Sequence, residues 1–128
     1  MLVETPRRRW PRIAVPLPGV HQAANTAIAA AALDVADEAG REVSPSEAAG
    51  GIAAVDWPVR IEVVGRRPTV IVDAAHSWAS IQALLATLEA DFPARRRVLV
   101  FATSRDKDVA GLLRQLLPRF DTTILTRF

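Results

Sequence analysis

An apolar run that stops at an acid, followed by a change of period, constrains this chain most: Val70-Ile71-Val72-Asp73-Ala74-Ala75-His76. Set off by Pro68, the stretch Thr69 to Val72 reads as a short strand covered on both faces, as in a parallel sheet. From Ala79 onward Ile81, Leu84, Leu85, Leu88 and Phe92 recur on one face of an amphipathic helix. Asp73 and His76 therefore fall in a strand-to-helix turn at the carboxyl end of a strand, where open α/β sheets place their ligands.

The same alternation continues downstream. Arg95-Arg96-Arg97 covers the start of a second apolar strand, Val98 to Phe101, which runs out at Thr103-Ser104-Arg105-Asp106-Lys107-Asp108. A helix follows with Val109, Leu112, Leu113, Leu116 and Leu117 inward, then a third strand from Thr122 to Leu125 that stops at Thr126-Arg127-Phe128. The order β-α-β-α-β implies a parallel sheet with right-handed crossovers. It delivers three polar turns to one edge, holding Asp73 and His76, Thr103 to Asp108, and Thr126 with Arg127. Such a convergence suits a charged ligand. Ahead of it, Ile61 to Val64 reads as a strand and Gly65-Arg66-Arg67-Pro68 as the turn that returns it.

The first half is different. Arg12 to Leu17 reads as a short strand ending at Pro18-Gly19, and Arg7-Arg8-Arg9 as a solvated, frayed end. His21-Gln22-Ala23-Ala24-Asn25 opens an alanine-rich helix running to about Ala39, with Ile28, Ala32, Val35 and Ala39 on its buried side and Gly40 as its stop. His21, Gln22 and Asn25 share its first turn. They can cap the helix, or an Asn amide there can read the donor and acceptor edge of a base such as adenine; spacing alone favours capping. Ser44-Pro45-Ser46-Glu47 starts a second helix through a capping box, kept short by Gly50-Gly51. A domain boundary is expected at Asp56-Trp57-Pro58, giving segments 1–58 and 59–128.

Composition narrows the classes. With 128 residues, 50% of them hydrophobic, the chain can bury one ordinary core with a smaller segment attached. No apolar run approaches the ~20 residues that cross a bilayer, and the start is charged rather than signal-like, so a soluble cytoplasmic protein with no membrane partner is expected. There are no cysteines, which rules out disulfides and thiolate metal sites. The net charge is only +2, so nucleic acid is not the expected partner. The charge is uneven, however: residues 57–128 hold eleven bases against seven acids, and Lys107 is the sole lysine. The second half favours an anionic ligand.

Several chemistries weaken on inspection. Asp73 and His76 alone are too few to hold a metal. A hydrolase using Ser77 or Ser104 with His76 would lack a Gly-x-Ser-x-Gly elbow. Neither a Gly-x-x-x-x-Gly-Lys-Ser/Thr loop nor Gly-x-Gly-x-x-Gly is present.

The succession Leu17-Pro18-Gly19-Val20-His21-Gln22-Ala23-Ala24-Asn25, Trp57-Pro58-Val59-Arg60-Ile61-Glu62-Val63-Val64, Asp73-Ala74-Ala75-His76, Thr103 to Asp108 and Leu125-Thr126-Arg127-Phe128 resembles the folylpolyglutamate synthase/dihydrofolate synthase family of Mur-ligase-type enzymes. The resemblance implies the end of a central ATPase domain (1–58) followed by a Rossmann-like, parallel-sheet C-terminal domain (59–128), itself incomplete. It implies an ATP- and Mg2+-dependent ligase that joins L-glutamate to a folate or dihydropteroate through an acyl phosphate, as a monomer. By position, His21, Gln22 and Asn25 would sit at the adenine, Arg60 at the phosphates, Asp73 at the ribose and His76 beside the nucleotide. Arg60, His76 and Lys107 would form the catalytic set. Thr103, Asp106, Lys107 and Asp108 would line the amino-acid side. The family reads Trp-Pro-Gly-Arg where this chain has Val59, and Asp-Gly-Ala-His-Asn-Pro where it has Ala74, Ser77 and Trp78. The family's phosphate loop and Mg2+ ligands precede the matched region, so these 128 residues alone are expected to lack ligase activity. The alternative is a non-catalytic nucleotide-binding or interaction module derived from that fold.

Overall fold

Alanine dominates helix α1, which runs Val20–Glu38. In the computed structural model, which describes residues 1–127, it belongs to a first unit, Met1–Arg60, while Ile61–Phe128 forms a second. The buried face of α1 is Gln22, Thr26, Ala30 and Asp34. The expected face is wrong: Ile28 and Val35 are 68% and 64% exposed. Polar residues take the inner face because each is paired there, which removes the cost of burying them. Thr26 donates to the Gln22 carbonyl at 2.8 Å, and Asp34 takes an ion pair from Arg8 Nε at 2.8 Å and a hydrogen bond from Trp10 Nε1 at 3.3 Å.

Those contacts also correct the reading of the N-terminus. Residues 12–17 form no strand; instead Glu4 and Arg9 make an antiparallel bridge that folds the first ten residues into a tight loop. Val3, Trp10 and Ile13 are buried with Ala30 and Ala49 as the core of this unit. Arg7 pairs with Asp37 and Glu38, and Arg8 with Asp34 and Asp37, so two of the three arginines clasp α1 rather than fray. Helix α2, Pro45–Ala53, begins where Ser44 accepts from the Glu47 N–H at 3.4 Å, with Pro45 in the first turn.

The second unit is α/β. Strands β1 (Glu62–Arg66) and β2 (Thr69–Val72) pair antiparallel, with a bulge between Val63 and Gly65. A Cβ on Gly65 would lie 3.2 Å from the Val70 side chain, so the close approach there needs glycine. Helix α3 spans Trp78–Asp91, β3 Val98–Phe101, α4 Val109–Leu116 with a 3-10 turn over Leu117–Arg119, and β4 Thr122–Leu125. β3 and β4 pair in parallel, from Val98 opposite Thr122 to Phe101 opposite Leu125, across the α4 crossover. β2 is hydrogen-bonded to β1, not to β3, so the described strands form two two-stranded sheets rather than one three-stranded parallel sheet. The short Arg66-Arg67-Pro68-Thr69 connection lets β2 pair locally.

Ile81, Phe101, Leu112 and Leu116 form the core between the β3–β4 pair and helices α3 and α4. Burial of Leu112 and Leu116 contributes about 1.5–3 kcal/mol each. Arg97 ties the ends together: its guanidinium donates to the Leu88 and Phe92 carbonyls that end α3, while its backbone N–H donates to the Asp121 carboxylate at 2.7 Å.

Candidate functional site

In the first unit a cavity of about 330 Å³ lies beside the N-terminal turn of α1. Its wall is largely apolar, with Val15, Leu17, Ile52, Val55 and Trp57, and its polar groups are Gln22, Asn25, Thr26 and Arg60. Few polar groups on an apolar wall is the composition of a small-molecule site. Gln22 is buried, and its amide organises the others: the Asn25 amide donates to its Oε1 at 3.0 Å, and its Nε2 meets the His21 ring at 3.0 Å. The cap of α1 is Gly19, without a side-chain cap bond, so the capping role expected for His21 and Asn25 is not what these residues do. Asn25 is exposed and keeps its carbonyl oxygen directed away from Gln22. Arg60 stacks on Trp57, 5.8 Å from guanidinium carbon to ring centroid.

In the second unit the expected polar turns follow β2 and β3. Asp73 is held at both oxygens: Oδ2 accepts from the Ile61 N–H at 2.9 Å and Oδ1 from the Ala75 N–H at 2.7 Å. Two backbone donors leave its remaining lone pairs for a ligand. His76 is exposed, and its Nδ1 lies 2.9 Å from the Ala74 carbonyl, to which it donates, so Nε2 is the nitrogen left for other contacts. Ser77 is the N-cap of α3, in a reciprocal capping box with Ser80. Its hydroxyl is spent there, and that of Ser104 on Asp106, so neither serine is presented to His76 as a hydrolase would need.

Lys107 Nζ pairs with Asp106 Oδ2 at 2.8 Å. That bond, with a second from Ser104, lowers the Asp106 carboxyl to about 2, so it is a carboxylate at neutral pH. Asp108 caps α4, accepting from the Gly111 N–H at 2.9 Å. A Cβ on Gly111 would sit 2.1 Å from Asp108 Oδ2, so glycine is what admits the carboxylate. Thr103 is half-buried just beyond β3, and the Thr126 N–H donates to the Phe101 carbonyl at 2.9 Å, with Arg127 exposed after it. These groups follow the carboxyl ends of their strands, and local bonds hold Asp73, His76, Asp106, Lys107 and Asp108.

Among the described residues no three His, Cys, Asp or Glu gather as a metal-binding group, so these residues do not fit Mg2+ by themselves. Among the described residues no helix is long and apolar enough to cross a membrane. Sequence reasoning missed Trp57 and Thr26 as cavity residues; an aromatic three positions before Arg60 and a hydroxyl one turn after Gln22 were the available signals. It also missed the backbone at Val59 and Ile61, with φ of 62° and 52°.

Residues 59–128 match the family model described as Mur ligase, glutamate ligase domain. The chain is 40% identical over 116 residues to a dihydrofolate synthase/folylpolyglutamate synthase of Mycobacterium tuberculosis, covering 89% of this chain and 24% of that protein. It is 40% identical over 100 residues to the Escherichia coli protein of that name, covering 77% and 22%. Its fold superposes on the M. tuberculosis folylpolyglutamate synthase complexed with ADP and AMPPCP with a TM-score of 0.80 at 38% identity, covering 93% of this chain and 26% of that one. An FPGS–AMPPCP–folate complex gives 0.80 at 30% identity, covering 95% and 30%. The chain thus spans about a quarter of the length of these relatives.

Proposed function

Because the chain belongs to the Mur ligase family, carrying its glutamate ligase domain over residues 59–128, we propose that it works as part of an ATP-dependent ligase that adds glutamate to folate, of the folylpolyglutamate synthase/dihydrofolate synthase kind. The observation that carries this proposal is the cavity of the first unit, where an apolar wall meets the Asn25 amide and the Arg60 guanidinium. A purine suits the wall, an amide can both give to and accept from its edge, and a fixed cation suits a phosphate chain. Residues 1–58 would then be the end of the ATPase domain.

In that reaction the γ-phosphoryl group of ATP passes to the terminal carboxylate of the folate. The glutamate amine attacks the acyl carbon, loses a proton, and phosphate leaves as the amide forms. Arg60 offsets charge that develops on the phosphoryl oxygens. Asp73 accepts from the ribose hydroxyls, and His76 lies beside the nucleotide with Nε2 able to take a proton. The Asp106–Lys107 pair, Thr103 and Asp108 face the incoming amino acid, whose charges they complement. Mg2+, when bound, would neutralise phosphate charge through ligands supplied outside these residues. A cytoplasmic, monomeric enzyme completes the proposal.

The chain lacks a phosphate loop, so ligation is expected only when a segment carrying one is present. ATP- and folate-dependent glutamate addition should appear when the chain is joined to the preceding portion of a close family member, and should fall with Arg60→Ala. No product, or activity indifferent to Arg60, would refute the assignment. The alternative is a non-catalytic nucleotide-binding module. It is favoured by Val59, Ser77 and Trp78, which stand where the family reads differently, and it predicts binding without ligation.

A further inference from the structure

Three polar side chains at the start of α1 are joined by hydrogen bonds that run in one direction. The Asn25 amide nitrogen donates to Gln22 Oε1 at 3.0 Å, and Gln22 Nε2 lies 3.0 Å from His21 Nε2. An amide nitrogen only donates, so the imidazole nitrogen accepts and the relay ends there. Gln22 is 6% exposed, and the Thr26 hydroxyl donates to its backbone carbonyl at 2.8 Å. With water kept away, the Gln22 amide satisfies its oxygen on Asn25 and its nitrogen on His21. Turning it over would set donor against donor at one end and acceptor against acceptor at the other, which a buried amide resists.

We propose that Gln22 is a positioning residue for Asn25: it ties the Asn25 amide by its nitrogen, so that a ligand in the cavity meets the carbonyl oxygen and a purine with an exocyclic amine is preferred to one with a carbonyl in its place. Asn25 is exposed and lines the cavity, while Gln22 takes its nitrogen. An untied asparagine amide turns either end to a ligand; this one presents Oδ1. The exocyclic amine of adenine donates to that oxygen, whereas a purine carbonyl there would oppose it, acceptor against acceptor. Gln22 acts through Asn25 and not by touching the base. The selection rests on the nucleotide site proposed above, while the relay is formed without a ligand.

Calorimetric titration of the full chain with ATP and with inosine triphosphate tests the selection, because the two bases carry an amine and a carbonyl at the same position. The unaltered chain should bind ATP about tenfold more tightly. In Gln22→Leu the Asn25 amide is free to turn its nitrogen to the ligand, and the preference should fall to about twofold or less. Gln22→Glu should restore it, since a carboxylate accepts from Asn25 Nδ2 and, with the imidazole proton moved to Nε2, from His21 as well. An undiminished preference in Gln22→Leu, an equal weakening of both nucleotides, or a preference lost in Gln22→Glu would overturn the proposal.

Nuclear magnetic resonance reads the relay without a ligand. A coupling across the N–H···N bond should connect Gln22 Nε2 with His21 Nε2. In Gln22→Leu the Asn25 side-chain amide protons should exchange with water about tenfold faster, while the Ala30 backbone amide keeps its protection. A missing coupling, or Asn25 exchange indifferent to Gln22, would refute the relay. If neither triphosphate bound the unaltered chain, the nucleotide site and the selection built on it would be refuted, and these signals would still decide the relay.

Discussion

The Arg60 guanidinium lies over the Trp57 indole, 5.8 Å from its centroid, and both side chains line the same cavity as Asn25. An exposed cation–π contact of this kind is worth about 0.5–1 kcal/mol, enough to park a side chain and little enough to be exchanged for a phosphate. ATP should therefore lift Arg60 off Trp57. The Trp57 emission should change on addition of nucleotide, and the change should vanish in Trp57→Phe and in Arg60→Ala.

Val59→Gly should stabilise the chain. Val59 is 38% exposed, so part of its burial is lost, but a β-branched residue at φ 62° is strained and glycine is not. Relief of the strain exceeds the added freedom of glycine in the unfolded chain, for a net gain of about 0.5–1 kcal/mol. Denaturant unfolding measures it; a lower midpoint would contradict the strain.

The clasp of the N-terminal loop on α1 should fail in acid. Asp37 is held below the ordinary carboxylate range by the hydrogen bond from Arg8 and then by the Val43 N–H. A lowered folded pKa stabilises fully above the unfolded value of about 3.9, and the stabilisation disappears as pH falls through the folded value. Exposure of Trp10, followed by fluorescence, should thus rise below about pH 4, and Asp37→Asn should weaken that pH dependence. Asp34→Ala, which deletes a buried partner of Arg8 and Trp10, should cost about 3 kcal/mol at neutral pH.

The Asp106 carboxyl carbon should titrate with a midpoint of about 2. Lys107→Ala should move that midpoint upward toward the ordinary value, because the lysine is the largest cause of the shift. An Asp106 midpoint indifferent to Lys107 would contradict the ion pair.

What could be read in the amino acids follows from the range of each interaction. The turns after β2 and β3 were legible because strand, acid and helix start are adjacent in the chain, and the parallel β3–β4 pair with its α4 crossover followed from period alone. The inner face of α1 was not, because Asp34 is buried by Arg8 and Trp10, more than twenty positions away. Hydropathy ranked Ile28 and Val35 above it. The same distance hid the clasp in what looked like a frayed basic end. The composition of β2 implies two covered faces, yet Val70 and Val72 are exposed and the strand pairs only with β1 among the described residues. Nothing in Val59 or Ile61 signals a left-handed backbone, since β-branched residues are the last expected there. Phe128, part of the expected third turn, lies outside the described residues.

Calorimetric titration of the chain with ATP tests the nucleotide site most directly. Saturable binding that weakens by about tenfold in both Asn25→Ala and Arg60→Ala is predicted, as expected when a hydrogen bond to the ligand is lost. No saturable heat, or an affinity untouched by both substitutions, would contradict it.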